Sequence, residues 1–288
     1  MTNNSRIFLD GKLLDTATKT SNPTNVLIAK NKIVGLGYVP DEDEKTLTQE
    51  KIKGSYVFPK PIAMPSEFDD TMLRLSPERG LFACFANINE TIDNTYPLIT
   101  LDKIKESKTQ AYGILVTRNL PLNDSSAIAK LANVPLVATI NNQNKDLLLS
   151  QLLEKNVKAH LLIDNLETEF SAIKAAKKAG VQFTTSLCLS KVTESTQIER
   201  SIKEGVIDTI SCPKGSEKIW LTSILSRFKD KLDPIEIAML TSSKLYNSFG
   251  LKKWSVSLNN SANFLVIDLN DSHDNYLKYV LVNGIVVK

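Results

Sequence analysis

The chain has 288 residues, 42% of them hydrophobic and 23% charged, and 35 Lys and Arg against 32 Asp and Glu leave a net charge of +3. That balance excludes a disordered chain, and because the lysines are scattered among acids it also excludes a basic nucleic-acid groove. No apolar run nears the roughly 20 residues that span a bilayer, no apolar leader follows Met1–Arg6, and Cys84, Cys188 and Cys212 form no disulfide framework. A cytoplasmic protein is expected, with no nucleic-acid or membrane partner.

Both ends read as short strands. Ile7-Phe8-Leu9 meets a turn dipeptide at Asp10-Gly11 and resumes at Lys12-Leu13-Leu14; Asn25–Ile28 is followed by a turn at Lys30–Lys32 and by Ile33–Gly37. Asn263–Asp268 and Tyr279–Val287 have the same character. Neither end closes a core alone, so residues 1–56 and 255–288 are expected to share one composite β-domain.

Residues 57–254 alternate strand and helix, as a parallel (β/α) barrel does. Seven strands are legible: Val57–Met64, Leu81–Ala86, Tyr112–Thr117, Pro135–Ile140, Val157–Ile163, Val181–Leu187 and Ile207–Cys212. Leu166–Ala179 is a helix with Leu166, Phe170, Ile173 and the Lys177 stem on one stripe and Gly180 to stop it. Pro234–Phe249 is another, with Asp233 as N-cap, Glu236 as capping-box partner and Gly250 beyond its end. A full eight-unit barrel uses about 250 residues, so a barrel short of a unit, or open, is expected. Val181–Leu187 and Ile207–Cys212 are then either adjacent strands or the edges of a gap, where a second subunit would dock.

Several blocks resemble cyclic amidohydrolases of the dihydroorotase type. Val57-Phe-Pro-Lys-Pro-Ile-Ala-Met-Pro-Ser-Glu-Phe-Asp-Asp70 is similar to that family's Pro-Gly-(apolar)-(apolar)-Asp-(apolar)-His-x-His, with Pro59 on its proline but Pro65 and Glu67 on the two metal-binding histidines. Gly80–Asn94 resembles the block that carries a substrate-holding asparagine, matched by Asn89. Ala175–Thr184 is similar to the helix–turn–strand before Thr-Pro-His-His; with Ser186 on the threonine, the histidine pair falls on Cys188 and Leu189. Glu204–Lys214 resembles Asp-Gly-x-Ile-Asp-x-Ile-Ala-Thr-Asp-His, its metal-binding aspartate falling on Pro213 and its histidine on Lys214. Leu240–Leu251 and Ser261–Asp268 are similar to the family's C-terminal runs.

The resemblance implies a TIM-barrel-like metallo-dependent hydrolase fold, α/β in class, with a small β-domain built from both ends. It also implies that the family's zinc is lost, because Pro65, Glu67, Cys188 and Pro213 replace its ligands. Degenerate members of this kind are partners of aspartate transcarbamoylase, so the expectation is a dihydroorotase-like pseudoenzyme of pyrimidine biosynthesis with a structural or regulatory role, and self-association as a further assembly. The alternative is an active amidohydrolase with a rebuilt site of Glu67, Asp69 and Cys212. Against it, the family's substrate-clamping arginine falls on the acidic Asp69. Of the two histidines, His160 is expected as a hydrogen-bonded residue in the barrel wall and His273 as a loop residue. The three cysteines are expected as buried filler.

Overall fold

The computed structural model describes residues 5–41, 47–68, 72–87, 92–100, 110–116, 126, 129, 133–192, 195–252, 255–271 and 275–288. The chain opens with β1 (Arg6–Asp15), β2 (Thr20–Ala29), β3 (Lys32–Leu36), β4 (Thr48–Lys51) and β5 (Tyr56–Pro59). Then come β6 (Ile62–Ala63), β7 (Ala83–Asn87), β8 (Thr95–Thr100), β9 (Gly113–Leu115), β10 (Leu136–Ile140), β11 (Ala159–Ile163), β12 (Phe183–Cys188) and β13 (Thr209–Ser211). Strands β14 (Phe264–Ile267), β15 (Leu277–Val282) and β16 (Ile285–Val286) close it. The described helices are α1 (Lys145–Lys155), α2 (Leu166–Lys178), α3 (Ser195–Lys203), α4 (Trp220–Phe228), α5 (Pro234–Ala238) and α6 (Lys244–Ser248).

The first five and last three strands form one sheet in the order β16-β15-β14-β5-β1-β2-β3, with β4 also on β1. Left-handed residues make its tight turns: Lys30 and Asn31 between β2 and β3, Asn283 and Gly284 between β15 and β16. Asp10–Gly11 is not a turn. The strand continues through it as a bulge, and the kink changes partners: Arg6–Leu9 pairs with β4, whereas Lys12 and Leu13 pair with β5. One face of the sheet buries Phe8, Val26, Ile28, Val57, Phe264 and Val266 in its own core. The other presents Phe58, Leu265 and Ile267 to the core shared with α4 and α5. With both faces buried, the apolar runs of β5 and β14 are continuous rather than alternating.

Val57–Met64 is not a single strand either. Tyr56–Pro59 belongs to the composite sheet, paired with β1 and β14, and only Ile62–Ala63 enters the barrel. Pro59 and Pro61, which lack an N–H for the ladder, mark the break.

The barrel is neither contracted nor open. Strands β6 to β13 pair in sequence order, all parallel, and the circle closes where Pro65 pairs with Cys212. Cys212 N donates to Met64 O at 2.8 Å, and Ser66 N donates to Cys212 O at 3.1 Å. The eighth strand is β8, Thr95–Thr100, which joins β7 through residues 88–94 alone. Strands β12 and β13 are direct neighbours, so no gap separates them for a second subunit to fill.

Alternation sorts the barrel residues into two faces. Ala138, Ile140, Leu161, Ile163, Leu187 and Ile210 pack outward on the crossover helices, through Leu148, Leu152, Ile173 and Ile198. Ile62, Met64, Phe85, Leu98, Leu115, Val137 and Leu162 line the lumen. Helix α2 starts where Asn165 Oδ1 accepts from Glu167 N and Thr168 N, and Gly180, with φ +85°, lies beyond its end. Helix α5 carries the Asp233–Glu236 capping box with Pro234 as its first residue. It passes into α6 through a π-helical turn at Met239–Ser243 that periodicity does not show. Helix α6 and the residue after it plug the N-terminal end of the barrel, with the Phe249 ring 4.2 Å from Phe85 and 5.6 Å from His160. Among the described residues no helix is long and apolar enough to cross a membrane.

Candidate functional site

In a barrel of this kind the loops after the strands build the site, so the C-terminal mouth is the place to look. Glu67 lies there after β6, exposed; Asp164 follows β11, Cys188 ends β12, and Pro213 and Lys214 follow β13. Lys191 is bonded to one of these strand ends and lies near two others. Its ammonium donates to Asp164 Oδ1 at 2.8 Å, and that bond holds the amine above the usual lysine range, with Cys188 and Glu67 adding to the effect. A cleft of about 370 Å³ opens beside the pair, bounded by Asn165, Glu167, Val192 and Gln197. Cys188 is buried, its Sγ 3.0 Å from Ser190 Oγ. Asp69, Asn89 and His273 lie outside the described residues.

His160 is fully buried and points into the lumen, with Nδ1 2.8 Å from Thr184 Oγ1 and Nε2 2.8 Å from Ser186 Oγ. Ser186 Oγ lies 2.5 Å from Thr209 Oγ1, which donates to Thr185 O at 3.3 Å. One assignment of protons follows from the Thr209 to Thr185 bond. Thr209 gives its proton to the carbonyl, so it accepts from Ser186; Ser186 then accepts from Nε2–H, and Nδ1 accepts from Thr184. A neutral imidazole satisfies the whole chain. Burial drives the His160 pKa down to about 3, with Asp208 opposing and Lys177 reinforcing the fall.

The Ser186–His160 pair has the spacing of a nucleophile and its base, but not the setting. Both are buried, no carboxylate orients the second ring nitrogen, and Ser186 spends its proton on Thr209. Cys212 is no nucleophile at the mouth. It belongs with the outward-packed core, and burial pushes its thiol far up, with Glu217 adding to the effect. Cys84, on the same outer face, is raised to about 11 by burial.

The zinc implied by the resemblance does not fit these residues. Such a site needs at least three protein ligands, and among the described residues no group of three or more His, Cys, Asp and Glu is placed to hold a metal ion. Both nitrogens of His160 are engaged in the lumen, and Pro65 and Pro213 offer no donor side chain. Luminal polar groups do remain: Asn87 Oδ1 and Thr100 Oγ1, at the C-terminal ends of β7 and β8, are buried and have no hydrogen-bond partner among the described residues.

A second polar centre was not foreseen. Asp208, just before β13, takes Lys177 of α2 at 2.5 Å and Lys244 of α6 at 3.2 Å. Burial alone would raise the Asp208 carboxyl, but the two ammonium groups more than offset it and leave it below the usual range. Lys177 also donates to Gly205 O at 2.6 Å, which ties α2 and α6 to the bottom of the barrel.

A closed eight-stranded parallel barrel beside a sheet built from both chain ends is the fold of the amidohydrolases, and comparison with solved structures shows the same fold. A β-aspartyl dipeptidase from Fervidobacterium islandicum AW-1, solved with a β-Asp-Leu dipeptide, superposes with a TM-score of 0.73 at 11% identity, covering 99% of this chain and 96% of that one. A D-hydantoinase (dihydropyrimidinase) from Thermus sp. gives 0.73 at 11% identity, over 98% and 94%. A dihydropyrimidinase from Brevibacillus agri NCHU1002 gives 0.70 at 11%, over 98% and 95%. At these identities the likeness is one of fold. No protein-family model matches the chain, and no curated protein matches it.

Proposed function

We propose that this chain is a dihydroorotase-like protein without a hydrolytic metal centre, acting as a structural or regulatory partner, with aspartate transcarbamoylase of pyrimidine biosynthesis as the partner. One observation carries the proposal: where the resemblance puts metal ligands, the chain has Pro65, Glu67, Cys188 and Pro213, and its buried histidine is locked to Thr184 and Ser186. A barrel that has lost its site still offers a rigid surface for assembly. The amidohydrolase fold supports the family half of the proposal; the partner rests on the resemblance alone.

The test has two arms. Metal analysis of the purified protein and a dihydroorotate hydrolysis assay should show no stoichiometric zinc and no turnover. Mixing with aspartate transcarbamoylase should give a complex by size-exclusion chromatography. Zinc with turnover would replace this proposal with an active amidohydrolase whose site uses Glu67 and Asp69. Asn87 and Thr100 favour a second reading, a module that binds a polar ligand in the lumen without transforming it.

A further inference from the structure

Asn283 and Gly284 form the one Asn-Gly dipeptide in the chain. They are the two loop residues of the β15–β16 hairpin: Val282 pairs with Ile285, and both loop residues are left-handed, with φ 49° and 79°. Strand β16 is two residues long and comes last in the sheet order, and Asn283 and Ile285 are exposed. An edge that buries so little apolar area opens locally far more often than the sheet unfolds. Beyond the ladder, three hydrogen bonds among the described residues hold the loop shut. Gly284 N donates to Ala262 O at 2.9 Å, Asn283 N donates to Asn263 Oδ1 at 2.8 Å, and Asn263 Nδ2 donates to Asn283 Oδ1 at 3.2 Å. These bonds bear on one reaction. A succinimide forms when the backbone nitrogen after an asparagine attacks that asparagine's side-chain carbonyl carbon, and glycine, lacking a Cβ, hinders the attack least. Here the attacking nitrogen has its proton on Ala262 O and the target amide is held by Asn263, so the closed turn blocks the ring.

We propose that Asn283 is a deamidation site gated by this hairpin, and that its conversion marks chains whose composite sheet has opened at this edge. Once the three bonds part, Gly284 N bonds to Asn283 Cγ, the Cγ–Nδ2 bond breaks, and ammonia leaves with the Gly284 proton. Water then opens the ring at either carbonyl and leaves aspartate or isoaspartate. No oxidant or reductant is required, and water is the co-reactant. Isoaspartate routes the backbone through Cβ and Cγ and so lengthens the loop by one atom. The turn has no slack for it, since even a Cβ on Gly284 would come within 2.6 Å of Asn31 Cα. A hairpin converted to isoaspartate therefore stays open.

The experiment incubates the intact chain at mildly alkaline pH, folded and in guanidinium chloride, and follows every asparagine by peptide mapping and mass spectrometry. Hydrogen exchange reads the Gly284 amide in parallel. In guanidinium, Asn283 should convert ahead of the other asparagines; an Asn283 that stays intact there would overturn the site. In the folded chain conversion should slow by the same factor as exchange of the Gly284 amide, about a hundredfold if each bond contributes about fivefold. Asn263→Ala removes two of the three bonds and should convert about twenty-fivefold faster than the folded parent. Chains carrying isoaspartate, returned to native buffer, should show no protection at Gly284. Equal rates in the two solvents, or a folded rate that does not follow exchange at Gly284, would overturn the gate whether or not the variant folds. So would parental kinetics in a folded Asn263→Ala. Protection regained by the isoaspartate chains would overturn the marking.

Discussion

Acid should unfold this protein partly through His160. The hydrogen-bond chain from Thr184 to Thr185 is complete with a neutral imidazole, and the folded pKa is about 3 against an ordinary value of 6.5. The folded state therefore resists protonation that the unfolded chain accepts. Stability tied to this group is intact above pH 6.5 and is lost as pH falls towards 3. At pH 4.5 the loss is about 3 kcal/mol, and at pH 3 it reaches about 4 kcal/mol. Urea denaturation at pH 7.5 and 4.5 measures this directly, provided the slope with denaturant stays constant. His160→Gln serves as the control. It should lose about 2 kcal/mol at pH 7.5 by stranding hydroxyls, but it lacks the imidazole and with it this part of the acid sensitivity. The two proteins should thus converge at pH 4.5, since all carboxylates are common to both. A gap between them that is the same at both pH values would refute the buried neutral histidine.

Three other outcomes are expected. Asp208→Asn should cost about 3 kcal/mol in chemical denaturation, because it leaves Lys177 and Lys244 without their shared carboxylate; a cost below 1 kcal/mol would mean the triad is solvated. Gly284→Ala should lower the melting temperature more than Gly180→Ala. Both residues have positive φ, but at Gly284 a Cβ would come within 2.6 Å of Asn31 Cα, whereas at Gly180 it meets open space. Deleting residues 261–288 should expose the apolar faces of β1 and β5 and cause aggregation, since β14 pairs along the whole of β5; a monomeric, cooperatively folding truncation would show that the ends are independent.

The sharing of one sheet by both chain ends was legible because the terminal strands are short, apolar and punctuated by turn residues. The position of β8 was not. Its residues include Pro97, which argues against a strand, and only residues 88–94 lead into it, fewer than the dozen a parallel crossover normally takes. The bulge at Asp10–Gly11 looked like a turn because the two share the same residue types, and only the pairing partners separate them. At the mouth, the lack of a donor side chain at Pro65 and Pro213 could be read directly, since an absent donor needs no fold to interpret. The partners of His160 could not: Thr184 and Ser186 lie 24 and 26 residues away and carry no motif of their own. Lys177 was legible as a greasy stem, but the carboxylate it seeks, Asp208, is 31 residues further on.

Closure of the barrel by Pro65 and Cys212 has a consequence for the order of events during synthesis. The first barrel strand stays without its second neighbour until β13 has been made, and β5 waits longer still, for β14. A ribosome adding about 5–20 residues per second leaves those edges unpaired for roughly ten seconds or more. The opening strands are then exposed apolar ribbon, the form of chain most prone to pair with a stranger. Folding in the cell should accordingly depend on chaperones that hold the first third of the chain, and slowing translation after β5 should lower the soluble yield.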